Sequence, residues 1–154
     1  MDVNYINSFI MGTEEIFKQM AGNIKLTRQK PLMKDSQFTG ESIVCIVGFN
    51  GEVEGQVVFS FTKDFALRLT SEMCGMEIAD IDDLALSALG EISNMVSGNA
   101  LIKLNELTAK KANITPPTIL YGDGQMNVSV KSPIIAIPYN GEDSCAFEIN
   151  FSLN

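Results

Sequence analysis

The sequence predicts an α+β fold: a largely antiparallel sheet packed by three helices, one of them a long central helix. Three observations carry this. Apolar residues recur at helical spacing in blocks rather than in strict strand-helix-strand alternation. Short β-branched and aromatic runs flank Asn-Gly pairs, the signal of hairpins. One segment, from about Asp80 to about Lys111, keeps a helical pattern far longer than the rest.

From Asp2 to about Met20, Ile6, Phe9, Ile10, Ile16, Phe17 and Met20 fall on one face, and Gly22 predicts the stop. No element is assigned to the polar stretch around Lys25 to Gly40. Ile43–Val47 and Val57–Phe61 then read as strands, with Asn50-Gly51 expected to turn the hairpin, because both residue types tolerate positive φ. Thr62 predicts the cap of a short helix through about Cys74, ended by Gly75. In the long helix, Asp82 and Asp83 sit near the positive end and Lys103, Lys110 and Lys111 near the negative end. Pro116 and Pro117 are expected to close it. Strands follow at Ile119–Tyr121, Met126–Val130, Ile134–Tyr139 and Cys145–Ser152, with Asn140-Gly141 in the last turn and Gly122-Asp123-Gly124 as another. The two Asn-Gly pairs hint at an internal two-fold repeat.

A chain of 154 residues suits one core, so residues 1–154 are expected to form a single domain. A net charge of −8 argues against nucleic acid, whose binding draws on Lys and Arg neutralising phosphates. The odd count of 3 cysteines, Cys45, Cys74 and Cys145, without a C-x-x-C pair fits reduced thiols better than a disulfide framework. The first residues lack a basic, then apolar leader, and no uncharged apolar run reaches membrane-spanning length, so a cytoplasmic protein with no membrane partner is expected. With 0 histidines, the usual general base and the Ser-His and Cys-His pairs are excluded. Asp80, Asp82 and Asp83 lack the glycine and distal glutamate of a calcium loop and read as helix-start charges.

The informative segment is Leu84 to Ala100. Ala85, Ala88, Leu89, Ile92, Val96 and Ala100 form an apolar arc suited to the sheet. Ser87, Glu91, Asn94 and Gly98 lie opposite, within roughly 80° of one another at 100° per residue. Gly90, Ser93, Asn94, Ser97, Gly98 and Asn99 are poorer helix formers than Ala by a few tenths to about 1 kcal/mol each. A surface selected for helix stability would not carry them. Small residues beside a protruding Glu and Asn are expected instead to let another protein's backbone come close. Spacing alone leaves a second reading open, in which Glu91 is a solvated charge and Asn94 a tolerated polar residue.

The run Asp82-Asp83-Leu84-Ala85-Leu86-Ser87-Ala88-Leu89-Gly90-Glu91-Ile92-Ser93-Asn94-Met95 resembles the signature helix of the CheC/CheX/FliY family of chemotaxis phosphatases, its CheX branch above all, with the Glu-x-x-Asn core. Gly55-Gln56-Val57-Val58-Phe59-Ser60-Phe61 and Ile114-Thr115-Pro116-Pro117-Thr118 are similar to two further family segments, so the resemblance covers roughly residues 43 to 122. CheC-type members are expected to carry two such signatures on symmetry-related helices; the helix at Lys63–Cys74 offers Glu72 but Gly75 in place of Asn, which favours the one-site CheX type. Gly90 stands where CheC-like members often have Asp or Ser.

The resemblance implies hydrolysis of the aspartyl-phosphate of a CheY-type response regulator. Asn94 would orient the water, Glu91 would pair with the receiver's phosphate-site Lys, and Ser87 and Gly98 would lie against the partner. It implies no cofactor on this chain, with Mg2+ in the receiver's active site, and a homodimer. The alternative it leaves is a non-catalytic module of the same fold that binds a receiver or a flagellar-switch component.

Overall fold

The computed structural model describes residues 2–130, 134–142 and 146–153. Its three helices are α1 (Val3–Ala21), α2 (Lys63–Cys74) and α3 (Asp83–Thr108). The strands are β1 (Thr27–Arg28), β2 (Leu32–Lys34), β3 (Gln37–Gly40), β4 (Ile43–Gly51), β5 (Gly55–Phe61), β6 (Ala112–Ile114), β7 (Thr118–Tyr121), β8 (Met126–Ser129), β9 (Ile134–Asn140) and β10 (Ala146–Leu153). Every pairing is antiparallel. The main sheet runs β1-β9-β10-β5-β4-β6, with β2 also on β9 and β7 also on β4, and β3 and β8 form a separate two-stranded arm.

Helix ends follow local chemistry. Asp2, Thr62 and Asp82 each accept a hydrogen bond from a backbone N–H of the first turn they precede, satisfying a donor the helix cannot. Gly75 ends α2 in the left-handed region, as expected, whereas Gly22 after α1 is right-handed at φ −62°. α3 is shorter than the predicted Asp80 to Lys111. Ala109 turns it off at φ 61°, and β6 intervenes before Pro116 and Pro117, which therefore do not terminate it. Lys110 and Lys111 lie past the helix, and Lys103 pairs with Glu15 of α1.

The main hydrophobic core sits between the sheet and the helices and draws from both ends of the chain, from Phe9 and Phe17 to Phe147 and Phe151. A smaller cluster of Val44, Val58, Val130 and Ile134 occupies the sheet's other face, where Phe38, Met126 and Val128 of the arm cover it.

Asn50-Gly51 does not form the hairpin turn. Phe49 pairs with Gly55, while Asn50 and Gly51 extend β4 to pair with Asn113 and Ala112 of β6. Asn140 likewise still pairs, with Ala146; the rest of that predicted turn, with Cys145, falls partly outside the described residues.

The expected two-fold is present in the strand registers. With Asn50-Gly51 matched to Asn140-Gly141, the pairings carry β1 and β2 onto β6 and β7, and β5 onto β10. Pro31 then falls on Pro117, and Phe59-Ser60 on Phe151-Ser152. α1 takes the place of α3, with Gly12 on Gly98 at the same spacing as the prolines.

Candidate functional site

α3 is held on three sides. Its inner face buries Ala85, Leu89, Ile92, Val96, Ala100 and Leu104. On one flank α1 crosses at Gly12, where a Cβ would stand 2.8 Å from the Ala100 backbone nitrogen, so only glycine permits this approach. Asn99 Nδ2 donates to the Gly12 carbonyl at 3.4 Å and to Glu15 Oε2 at 3.0 Å. Lys103 Nζ reaches the same carboxylate at 3.3 Å. The Asn99 bond first, and the Lys103 bond and charge after it, hold the Glu15 carboxyl below its ordinary range. On the other flank the β6–β7 segment packs beside Gly90, where an added Cβ would meet Ile119 Cδ1 at 3.3 Å and Pro117 Cγ at 3.5 Å.

The fourth side faces solvent and carries the predicted residues. Ser87 and Glu91 are exposed, and Asn94 and Gly98 are half-buried. Glu91 and Asn94 are one turn apart, which sets their Cβ atoms about 5–6 Å from each other. Neither side chain makes a hydrogen bond or ion pair among the described residues, so both are available to a partner. The small residues around them behave otherwise than expected. Gly90, Ser93 and Ser97 are buried and face the protein itself, Ser93 Oγ donating to the Leu89 carbonyl at 2.8 Å. Only Gly98 and Asn99 remain beside the open ridge.

The repeat corrects the search for a second signature. The counterpart of α3 is α1, not α2, and Tyr5 and Ser8 stand where Glu91 and Asn94 do. Both are buried, Ser8 Oγ donating to the Tyr5 carbonyl and Tyr5 Oη accepting from Lys110 Nζ. Glu72 of α2 accepts from Asn23 Nδ2 at 2.7 Å. The chain thus has one open Glu-x-x-Asn ridge among the described residues.

Other chemistry is sparse. Burial pushes the Cys45 thiol up to about 11, leaving it a poor nucleophile. No group of three or more carboxylates and thiols able to hold a metal converges among the described residues. A cleft of about 250 Å³ beside Thr13, Phe17 and Tyr139 is not lined by Glu91 or Asn94. Glu91 is exposed and Asn94 half-buried on the open face of a helix, away from that cleft, a geometry that fits a macromolecular surface.

The model of the chemotaxis phosphatase CheX family matches residues 43–140, a span that contains the whole ridge. The chain belongs to this family. It is 33% identical over 156 residues to the CheY-P phosphatase CheX of Thermotoga maritima, covering 99% of this chain and 97% of that one. The crystal structure of the chemotaxis protein CheX from Desulfovibrio desulfuricans has a TM-score of 0.86 at 31% identity, covering 97% of this chain and 99% of that one. The Borrelia burgdorferi CheX-CheY-BeF3-Mg2+ complex shares the fold, with a TM-score of 0.76 at 24% identity and 97% of each chain covered. No helix of the described residues is long and apolar enough to cross a membrane.

Proposed function

We propose that this protein hydrolyses the aspartyl-phosphate of a CheY-type response regulator. The observation that carries the reading is the ridge itself: in a member of the chemotaxis phosphatase CheX family, Glu91 and Asn94 stand side by side, unengaged, on a helix clamped along its other sides. A phosphorylated receiver already holds its phosphoryl group beside Mg2+ and a Lys, so most of the charge stabilisation resides in the substrate protein. An oriented water is what it lacks. Asn94 Oδ1 accepts a hydrogen bond from that water and aims its oxygen in line with the bond to be broken. Water oxygen bonds to phosphorus, the P–O bond to the receiver's Asp breaks, and inorganic phosphate and the free carboxylate result.

Glu91 pairs with the receiver's phosphate-site Lys in a charge-assisted bond that sets the register of the two proteins. Ser87 and Gly98, on the same line, lie against the partner and leave room for it. No cofactor is needed on this chain; the Mg2+ belongs to the receiver. The protein works in the cytoplasm, as one domain, and as a homodimer joined through sheet edges. Light scattering at tens of micromolar tests the last statement, a monomer counting against it.

The lifetime of a phosphorylated CheY-type receiver, followed by loss of labelled phosphate with and without this protein, tests the activity. Acceleration at substoichiometric amounts is expected. Tight binding of the loaded receiver with no change in lifetime would leave only a docking module.

A further inference from the structure

Glu91 and Asn94 expose far less surface than the roughly 800 Å² per partner that a specific complex covers, so a receiver bound here must extend along the ridge. Beside Ser87 and Gly98, two aliphatic side chains lie along it. Leu84 is two turns before Glu91 and Ile102 about two turns beyond Asn94, and at 100° per residue both fall within about 20° of the Glu91 direction. Leu84 is 49% and Ile102 57% exposed; the third exposed large aliphatic of α3, Leu107 at 47%, points about 160° away from Glu91 and is off this line. Together they span about 27 Å at 1.5 Å per residue, which fits within the roughly 35 Å diameter of a compact domain of about 120 residues. Gly98, between Asn94 and Ile102, has no side chain to lift a partner off this line.

We propose that Leu84 and Ile102 are the two apolar anchors that seat the receiver on either side of the Glu91/Asn94 pair. The assignment rests on the phosphatase reading above and adds to it a division of labour. The anchors contact non-reacting surface equally in ground and transition states, so they set affinity, while Asn94 sets the rate of the chemical step. The occupant is the receiver rather than a second copy of this chain, because an isologous contact along this ridge would set Glu91 against Glu91 or cover Asn94.

The test is steady-state kinetics on the phosphorylated receiver, with binding to a beryllofluoride-loaded receiver measured in parallel, for wild type, Leu84→Asn, Ile102→Asn and Leu120→Asn. Leu120 is the control: it is 48% exposed, but it pairs with Val44 on the sheet face away from the helices. Leu84→Asn and Ile102→Asn should each raise KM and the binding Kd about fivefold to tenfold, with kcat within twofold and with the loss persisting in 1 M salt. Leu120→Asn should match wild type. Unchanged KM in both ridge variants, a fall in kcat instead, or equal losses in all three variants would overturn the assignment. If the wild type bound the loaded receiver without hastening hydrolysis, the catalytic reading would fall while the anchors would still be judged by Kd; absence of any binding would overturn both.

Discussion

Two glycines, Gly12 and Gly90, sit inside helices that pack against neighbours, and the same substitution at each should have opposite effects. Replacing a mid-helix Gly by Ala favours folding by about 0.8–1.0 kcal/mol through helix propensity alone. At Gly90 the new Cβ meets the end of the Ile119 side chain at 3.3 Å and Pro117 Cγ at 3.5 Å, and Ile119 can yield by a few tenths of an ångström. Gly90→Ala should therefore keep most of the gain, about 0.5 kcal/mol or more. At Gly12 the Cβ meets backbone: Ala100 N at 2.8 Å and Cα at 3.0 Å, with Ala100 Cβ at 3.2 Å. No rotamer change relieves that overlap. α1 must move away from α3, stretching the Asn99 bond to the Gly12 carbonyl, and overpacking of this kind costs about 3 kcal/mol at the upper end of its range. Net of propensity, Gly12→Ala should lose about 2 kcal/mol. For a chain of this size each kcal/mol is worth about 2–4 °C, so Tm should fall by about 4–8 °C for Gly12→Ala and rise by about 1–3 °C for Gly90→Ala. Calorimetry on the two single variants reads both. A Gly12→Ala protein as stable as wild type would refute the argument that helix contact there depends on the missing side chain.

The signature residues should separate by kinetics. Asn94→Ala should cut kcat at least tenfold, about 1.4 kcal/mol or more of transition-state stabilisation, with receiver affinity nearly unchanged. Glu91→Ala should weaken binding and turnover together, Glu91→Gln should fall between it and wild type, and raised salt should mimic part of the loss. Because Glu15 is held below its ordinary range of about 4.5, its contribution is present above that pH and is lost as pH falls through its folded value. The stability difference between wild type and Glu15→Gln, by urea titration, should therefore be steady near pH 6 and shrink below about pH 4.5. Cys45, buried and with its thiol pushed up to about 11, should resist iodoacetamide at pH 8 until the protein is unfolded, as mass mapping would report.

The sequence made α1, α2, α3 and the long strands legible because each carries its own signal: a repeating apolar face, a cap, or a β-branched run. β1, β2, β3 and β6, two to four residues each, were not legible, because their pairing is decided by distant partners such as β9 and β4 rather than by their own residues. Asn50-Gly51 misled for a related reason: β6 captured the end of β4 and moved the turn onward. At the site, the outward direction of Ser87, Glu91, Asn94 and Gly98 followed from periodicity. The inward direction of Gly90, Ser93 and Ser97 did not, since small near-neutral residues leave little mark on an apolar pattern although α3 is enclosed on three sides. Nothing in Tyr5 or Ser8 betrays their equivalence to Glu91 and Asn94; only strand pairing reveals which helix is the counterpart.

The two halves of this protein trade strands. The short β1 and β2 of the first half complete the edge of β9 in the second, while β6 and β7 of the second complete β4 in the first, and the centre of the sheet is the seam between β5 and β10. A half cut free at the α2–α3 connection would expose the β5 or β10 edge and lack the outer strands its neighbour supplies. Neither piece should hold its shape alone, yet the two should find each other when mixed. In the intact chain, the central seam between β5 and β10 closes only after the last strand has been made, so folding should be slow for its size and unfolding should be a single transition.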